Sequence, residues 1–131
     1  MKHRIFVYGT LLSNAMRPAS KMVGATVLSR ASMPGVDMYD LGWFPGLKVG
    51  TGMASVVQGE IIEVDDEGLD RLDAYEGAPQ LYRRQSLYAV DEEGVPVLCQ
   101  TYIYNGPVNP NDLIDSGSWI EYSKETENAT A

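Results

Sequence analysis

"FVYGTLL", residues 6–12, decides how the rest of the chain is read. Phe6, Val7 and Tyr8 are β-branched or aromatic, and with Ile5 before them they predict a short buried strand. The run is cut at Gly9-Thr10 and turns apolar again at Leu11 and Leu12, without an Asn-Gly or similar hairpin signal. From the residues alone two explanations stay open. The cut is either a tight strand-end turn with Tyr8 and Leu11 in the core, or a place where the bare backbone of Gly9 approaches a ligand. In the second case successive N–H groups around the turn hold an anion or a developing oxyanion, and Thr10 adds a hydroxyl.

Outward from this stretch, strands dominate. Val23 to Leu28 predicts a second strand. From Met33 to Gly52, chain breakers alternate with Val36, Met38, Tyr39, Trp43, Phe44 and Leu47. This pattern predicts short strands and an ordered loop, because large apolar side chains need burial. "SVVQGEIIEV", residues 55–64, predicts a longer strand whose interior Gly59 marks a bulge or a close approach by other atoms. "DDEGLDRLDAYEG", residues 65–77, predicts one short amphipathic helix, with Asp65, Asp66 and Glu67 as its cap and solvated first turn and Gly77 just past its end. Arg83 to Val90 and Val95 to Tyr104, split by "DEEG", predict a hairpin. Many strands, one or two short helices and no regular strand–helix alternation point to an α+β class, with a mixed sheet able to close into a small β-barrel. Residues 1–122 are expected to form a single domain, and residues 123–131 a flexible C-terminal tail.

The 131 residues are 44% hydrophobic, enough for one buried core, and carry a formal charge of -8. That charge disfavours nucleic acid and anionic lipid as partners. No leader pattern and no apolar run of membrane-spanning length is present, so a soluble protein is expected. Cys99 is the only cysteine, which excludes an internal disulfide and fits a cytoplasmic location. With one histidine beside that cysteine, a soft-ligand metal site has few ligands to draw on, so no metal is expected. A monomer or weak dimer is compatible with the sequence, which does not fix the oligomeric state.

Among residues that can carry chemistry, Glu76 comes first. It falls in the last turn of the predicted helix, where the macrodipole disfavours an ionised carboxylate. Apolar neighbours at Tyr75, Leu81 and Tyr82 would add desolvation and raise its pKa toward the operating pH, although a glutamate before a helix-ending glycine is also an ordinary solvated residue. Glu60 ranks second as a base, its face undecided around Gly59: a rim position, a buried partner for Arg83 or Arg84, and a catalytic role are all open. Cys99 would need His3 as an activating partner across the fold, and packing is the simpler reading. Met33, Met38 and Met53 are read as core or pocket filling.

Together, "YGTLL" (8–12), "YDLGWFPGL" (39–47), "VQGEIIEV" (57–64), "LDAYEG" (72–77), "LYRR" (81–84), "TYIY" (101–104) and "SGSWIEY" (116–122) resemble the γ-glutamylcyclotransferase-like, or AIG2-like, family from about Ile5 to Tyr122. The resemblance implies a small mixed β-barrel flanked by short helices, with a cavity at the end of the first strand. It implies that the loop Tyr8-Gly9-Thr10-Leu11 holds a γ-glutamyl group through backbone donors and that Glu76 is the general acid/base. The implied reaction closes 5-oxoproline from a γ-glutamyl amine and expels the amine, without a cofactor. Tyr82 and Tyr104 become possible pocket walls, and Arg83 either a contact to the substrate carboxylate or a brace for the barrel. Leu12-Ser13-Asn14 departs from the basic or glycine-rich residues frequent there, which bears on substrate choice. A different class of function, a non-catalytic module binding a γ-glutamyl-like or carboxylate ligand in the same cavity, is the alternative; retention of Glu76 favours the enzyme.

Overall fold

The computed structural model describes residues 1–15, 18–50 and 55–130, the last of these as backbone alone from residue 125. Strands β1 (His3–Val7), β2 (Thr26–Pro34), β5 (Val56–Val64), β6 (Tyr82–Asp91) and β7 (Pro96–Tyr104) form a closed barrel in the order β1-β5-β2-β6-β7. Neighbours are antiparallel except β1 and β7, which close the barrel in parallel. A separate antiparallel pair, β3 (Val36–Asp40) and β4 (Pro45–Val49), lies outside that order. Among the described residues three α-helices, α1 (Ala19–Met22), α2 (Asp66–Glu76) and α3 (Trp119–Thr130), and a single 3-10 turn at Pro110–Asp112 complete the fold.

The continuous apolar run that opens the chain follows from this arrangement. Phe6 and Tyr8 join Met33, Met38, Ile61 and Ile103 in one core cluster, whereas Ile5 and Val7 join Ile62, Leu69 and Leu72 in a second. Both faces of β1 are therefore covered, one of them under α2, so there is no polar alternation to read. Gly59 has the close approach expected of it: a Cβ there would stand 2.2 Å from the carbonyl oxygen of Val7 and 2.6 Å from the ring of Phe6. α2 keeps its expected bounds, because the Asp65 carboxylate accepts the Gly68 N–H at 2.7 Å at one end and Gly77 takes a left-handed φ of 65° at the other. In the β6–β7 turn Asp91 accepts the N–H groups of Glu93 and Val95, both at 2.9 Å, with Gly94 at φ 80°.

Other expectations need correction. The second strand begins at Thr26, not Val23, and runs on to Pro34 beyond Leu28. Of β2 only Ala31 and Met33 are buried, both in the part beyond Leu28, where Ser29, Arg30 and Ser32 interrupt the apolar run. Beyond Tyr122 the backbone is helical as far as Thr130, and Ser118 Oγ accepts the Glu121 N–H at the start of α3. Trp43 and Phe44 are not buried: the turn that carries them leaves Trp43 91% exposed. Met33 and Met38 lie in the core, and Met53 falls outside the described residues. Cys99 is a core residue whose thiol is pushed up to about 11 by burial, while His3 is hydrogen-bonded to Asp66. No helix among the described residues is long and apolar enough to cross a membrane.

Candidate active site

β1 ends at a cavity of about 810 Å³ lined by residues from the loop after it, from the C-terminal end of α2, and from β6, β7 and α3. Tyr8, Gly9, Thr10, Leu11, Glu76 and Tyr82 all contribute to its wall. These six sequence-derived candidates are thus gathered in one hollow although almost 70 positions separate the loop from the helix end.

The loop is held from behind. Tyr8 Oη donates to the Tyr102 carbonyl at 2.7 Å in the core, and Leu11 O accepts the N–H of Ala19 at 2.9 Å. Gly9 O accepts the N–H of Leu12 at 3.1 Å. Among the described residues the N–H groups of Gly9, Thr10 and Leu11 donate to no protein acceptor, which leaves successive donors for a ligand. Gly9 sits against Pro45, whose Cγ would be 2.8 Å from an added Cβ, so the loop and β4 touch through the missing side chain. Tyr8 and Leu11 are core residues, as the tight-turn explanation requires, and the backbone between them is bare, as a ligand contact would require.

Glu76 is the last residue of α2 and half-buried in the cavity wall. Burial raises its pKa to about 7, and among the described residues it makes no ion pair that would oppose this. Its carboxylate also lies at the negative end of the helix dipole. Burial and then the charge of Glu76 push the phenols of Tyr8 and Tyr82 upward, so both stay neutral hydrogen-bonding groups. Tyr82 Oη donates to the Pro45 carbonyl at 2.8 Å. Next to Glu76, the hydroxyls of Tyr75 and Thr10 are hydrogen-bonded at 3.0 Å, which ties the helix end to the loop across the cavity wall. Asp73, one turn earlier, accepts from Arg84 Nε and from Tyr102 Oη, both at 2.7 Å, and so anchors α2 to the barrel.

Arg83 does not line the cavity. It follows the buried Tyr82 on β6, so strand alternation turns it outward, where it is exposed and Nη1 donates to Asn105 at 2.9 Å. The substrate contact expected for it therefore has no support in its position, and the bracing role is the one its bond fits. Tyr104 lies outside the cavity too and packs edge-on against Tyr82 with ring centroids 5.6 Å apart. Glu60 is buried but is not part of the wall: its carboxylate accepts the Ser13 N–H at 2.8 Å and the Ser13 hydroxyl at 2.5 Å, fastening the loop's far end. Arg84, once considered as its partner, pairs with Asp73. Sequence reasoning named Tyr75 only as an apolar neighbour of Glu76 and did not anticipate the wall positions of Tyr102 and Trp119. No group of three or more His, Cys, Asp or Glu side chains among the described residues is arranged to hold a metal ion.

Comparisons with known proteins identify the fold and its family. The family described as gamma-glutamyl cyclotransferase, AIG2-like, matches residues 5–121. The Escherichia coli K12 gamma-glutamylcyclotransferase family protein YtfP is 32% identical over 121 residues, 92% of this chain and 99% of that one. Among solved structures, a mouse AIG2-like protein superposes with a TM-score of 0.73 at 28% identity, covering 89% of this chain and 87% of that one. The PH0828 protein of Pyrococcus horikoshii does so with a TM-score of 0.73 at 24% identity over 96% and 97% of the two chains, a likeness of fold.

Proposed function

The chain belongs to the gamma-glutamyl cyclotransferase, AIG2-like family, and from that premise we propose that it cyclises a γ-glutamyl amine to 5-oxoproline and releases the amine, with Glu76 as general acid/base. The observation that carries the reading is a carboxyl whose pKa burial raises to about 7, in the wall of the same cavity as a loop with unengaged N–H donors. A group that titrates near neutrality both takes and returns a proton efficiently.

The chemistry follows. The α-ammonium of the substrate gives a proton to the Glu76 carboxylate, and the freed amine attacks its own γ-carbonyl carbon. A C–N bond forms, and the carbonyl oxygen gains negative charge near donors from the Gly9–Leu11 loop. The amide bond to the leaving nitrogen then breaks. The attacking nitrogen sheds two protons in all and the leaving nitrogen gains two, so Glu76 relays them and ends ionised while the departing amine leaves as an ammonium. Tyr8, Gly9, Thr10, Leu11 and Tyr82 position the glutamyl arm for ring closure, an orientation effect that adds to proton transfer. No step calls for a cofactor. The free, buried thiol of Cys99 suits a reducing compartment, and we place the reaction in the cytoplasm.

Incubation of the purified protein with a panel of γ-glutamyl compounds, followed by measurement of 5-oxoproline, tests the reading. Release from at least one is expected. Binding without release from any would make the cavity a receptor for γ-glutamyl ligands. The pH dependence gives an independent check: kcat/KM should fall on the acid side with an apparent pKa of about 7, because the carboxylate must be ionised to accept the first proton. An acid limb in the ordinary glutamate range would show that Glu76 is not the desolvated base.

A further inference from the structure

The mouth of the cavity carries aromatic groups that the cyclisation itself does not use. Trp43 and Phe44 reach it from the turn between β3 and β4, and Trp119 from the first turn of α3. Trp43, at 91% exposure, has almost no packing role, yet its turn is firmly built. Leu41 N–H donates to Phe44 O at 3.0 Å, and Asp40 Oδ1 accepts the Gly42 N–H at 2.7 Å. The other oxygen of Asp40 accepts the Tyr122 hydroxyl at 2.5 Å, and the Tyr122 ring stacks on Trp119 at 5.7 Å. One carboxylate thus couples the turn bearing the exposed Trp43 and Phe44 to the helix whose half-buried Trp119 packs against the core.

Exposed aromatic surface fixed in place, and continuous with a catalytic cavity, is a mark of ligand contact. We infer that the Trp43–Phe44 turn and Trp119 form the subsite for the leaving amine, and that it selects amines bearing an aromatic or bulky apolar group. This rests on the proposed cyclisation, in which the glutamyl arm occupies the loop and Glu76, so the departing half of the substrate extends toward the mouth. Wide, flat aromatic walls reward a planar apolar group by excluding water from both surfaces, and they offer little to a methyl group.

The chain's two tryptophans are both at this mouth, so ligand occupancy is readable by intrinsic fluorescence apart from turnover. The Glu76→Gln protein, blocked in catalysis, is titrated with γ-glutamylphenylalanine, γ-glutamylalanine and Nε-(γ-glutamyl)lysine, and kcat/KM for the same compounds is measured on the unaltered protein. The phenylalanine compound is expected to bind and react about tenfold or more better than either of the others. Trp43→Ala should collapse that preference, with the larger loss on the phenylalanine compound. Equal kcat/KM for all compounds, a preference for the lysine compound, or an equal loss on all of them in Trp43→Ala would overturn the subsite while leaving cyclisation intact. The expected fluorescence selectivity without any 5-oxoproline would leave an aromatic-selective binding surface but overturn its assignment to a leaving amine together with the cyclisation. Absence of both binding and release would remove both.

Discussion

Glu76→Gln is expected to lower kcat/KM for 5-oxoproline release by about a hundredfold or more, while making the folded protein more stable at mildly alkaline pH. The amide keeps the shape of the side chain but neither takes nor returns a proton. The stability gain follows from the same burial. Raised from 4.5 to about 7, the carboxyl binds its proton more tightly in the folded than in the unfolded chain. Between those values the folded state holds more protons, so stability falls as pH rises from about 4.5 through about 7 and the full deficit is present above it. Glutamine carries no such deficit, and the gain at mildly alkaline pH should be on the order of 2 kcal/mol, vanishing below the ordinary glutamate pKa. Thermal melts of both proteins across pH, beside the activity assay, separate this from misfolding: a poorly folded variant loses activity and stability together. Unchanged turnover would remove Glu76 from the chemistry. A site that weakens the fold for the sake of reactivity is a familiar trade.

Gly59→Ala is expected to destabilise the protein by about 3 kcal/mol or more, beyond the usual cost of one added methyl group in a core. The new Cβ would meet the Val7 carbonyl oxygen at 2.2 Å. A backbone atom cannot rotate aside, so β5 and β1 must part at the point where β1 delivers the loop to the cavity. Denaturant unfolding measures the loss, and Gln58→Ala, on the neighbouring exposed residue, should change stability by no more than about 0.5 kcal/mol. A Gly59→Ala protein as stable as the parent would mean that the barrel is not closed so tightly at this point.

What the sequence made legible is local. Asp65 and Gly77 carry the bounds of α2 in their own side chain and backbone preferences, and Asp91 and Gly94 do the same for the β6–β7 turn. Gly59 announces a close contact, though not with which atom. Glu76 is legible because the helix end and its apolar neighbours lie within a few residues of it. What stayed hidden depends on partners far along the chain. Whether Tyr82 or Arg83 faces inward is set by the pairing of β6 with β7. The fate of Trp43 depends on Asp40 reaching Tyr122, some 80 positions away, and the role of Thr10 on Tyr75, more than 60 away. Glu60 could not be assigned until Ser13 was seen beside it. None of these pairings leaves a periodic trace.

The parallel seam between β1 and β7 sets an order of events in the life of the chain. Phe6 O accepts the Thr101 hydroxyl at 2.9 Å, and Tyr8 Oη donates to Tyr102 O, so the first strand is fastened to the last. During synthesis from the N-terminus, the loop and Glu76 emerge before the strand that joins their halves has been made. The nascent polypeptide therefore carries the loop and Glu76 before the barrel can close, and must keep β1's apolar edge from other strands until β7 has been made. The cavity is complete only once β7 has docked and α3, made after it, has brought Trp119 to the wall.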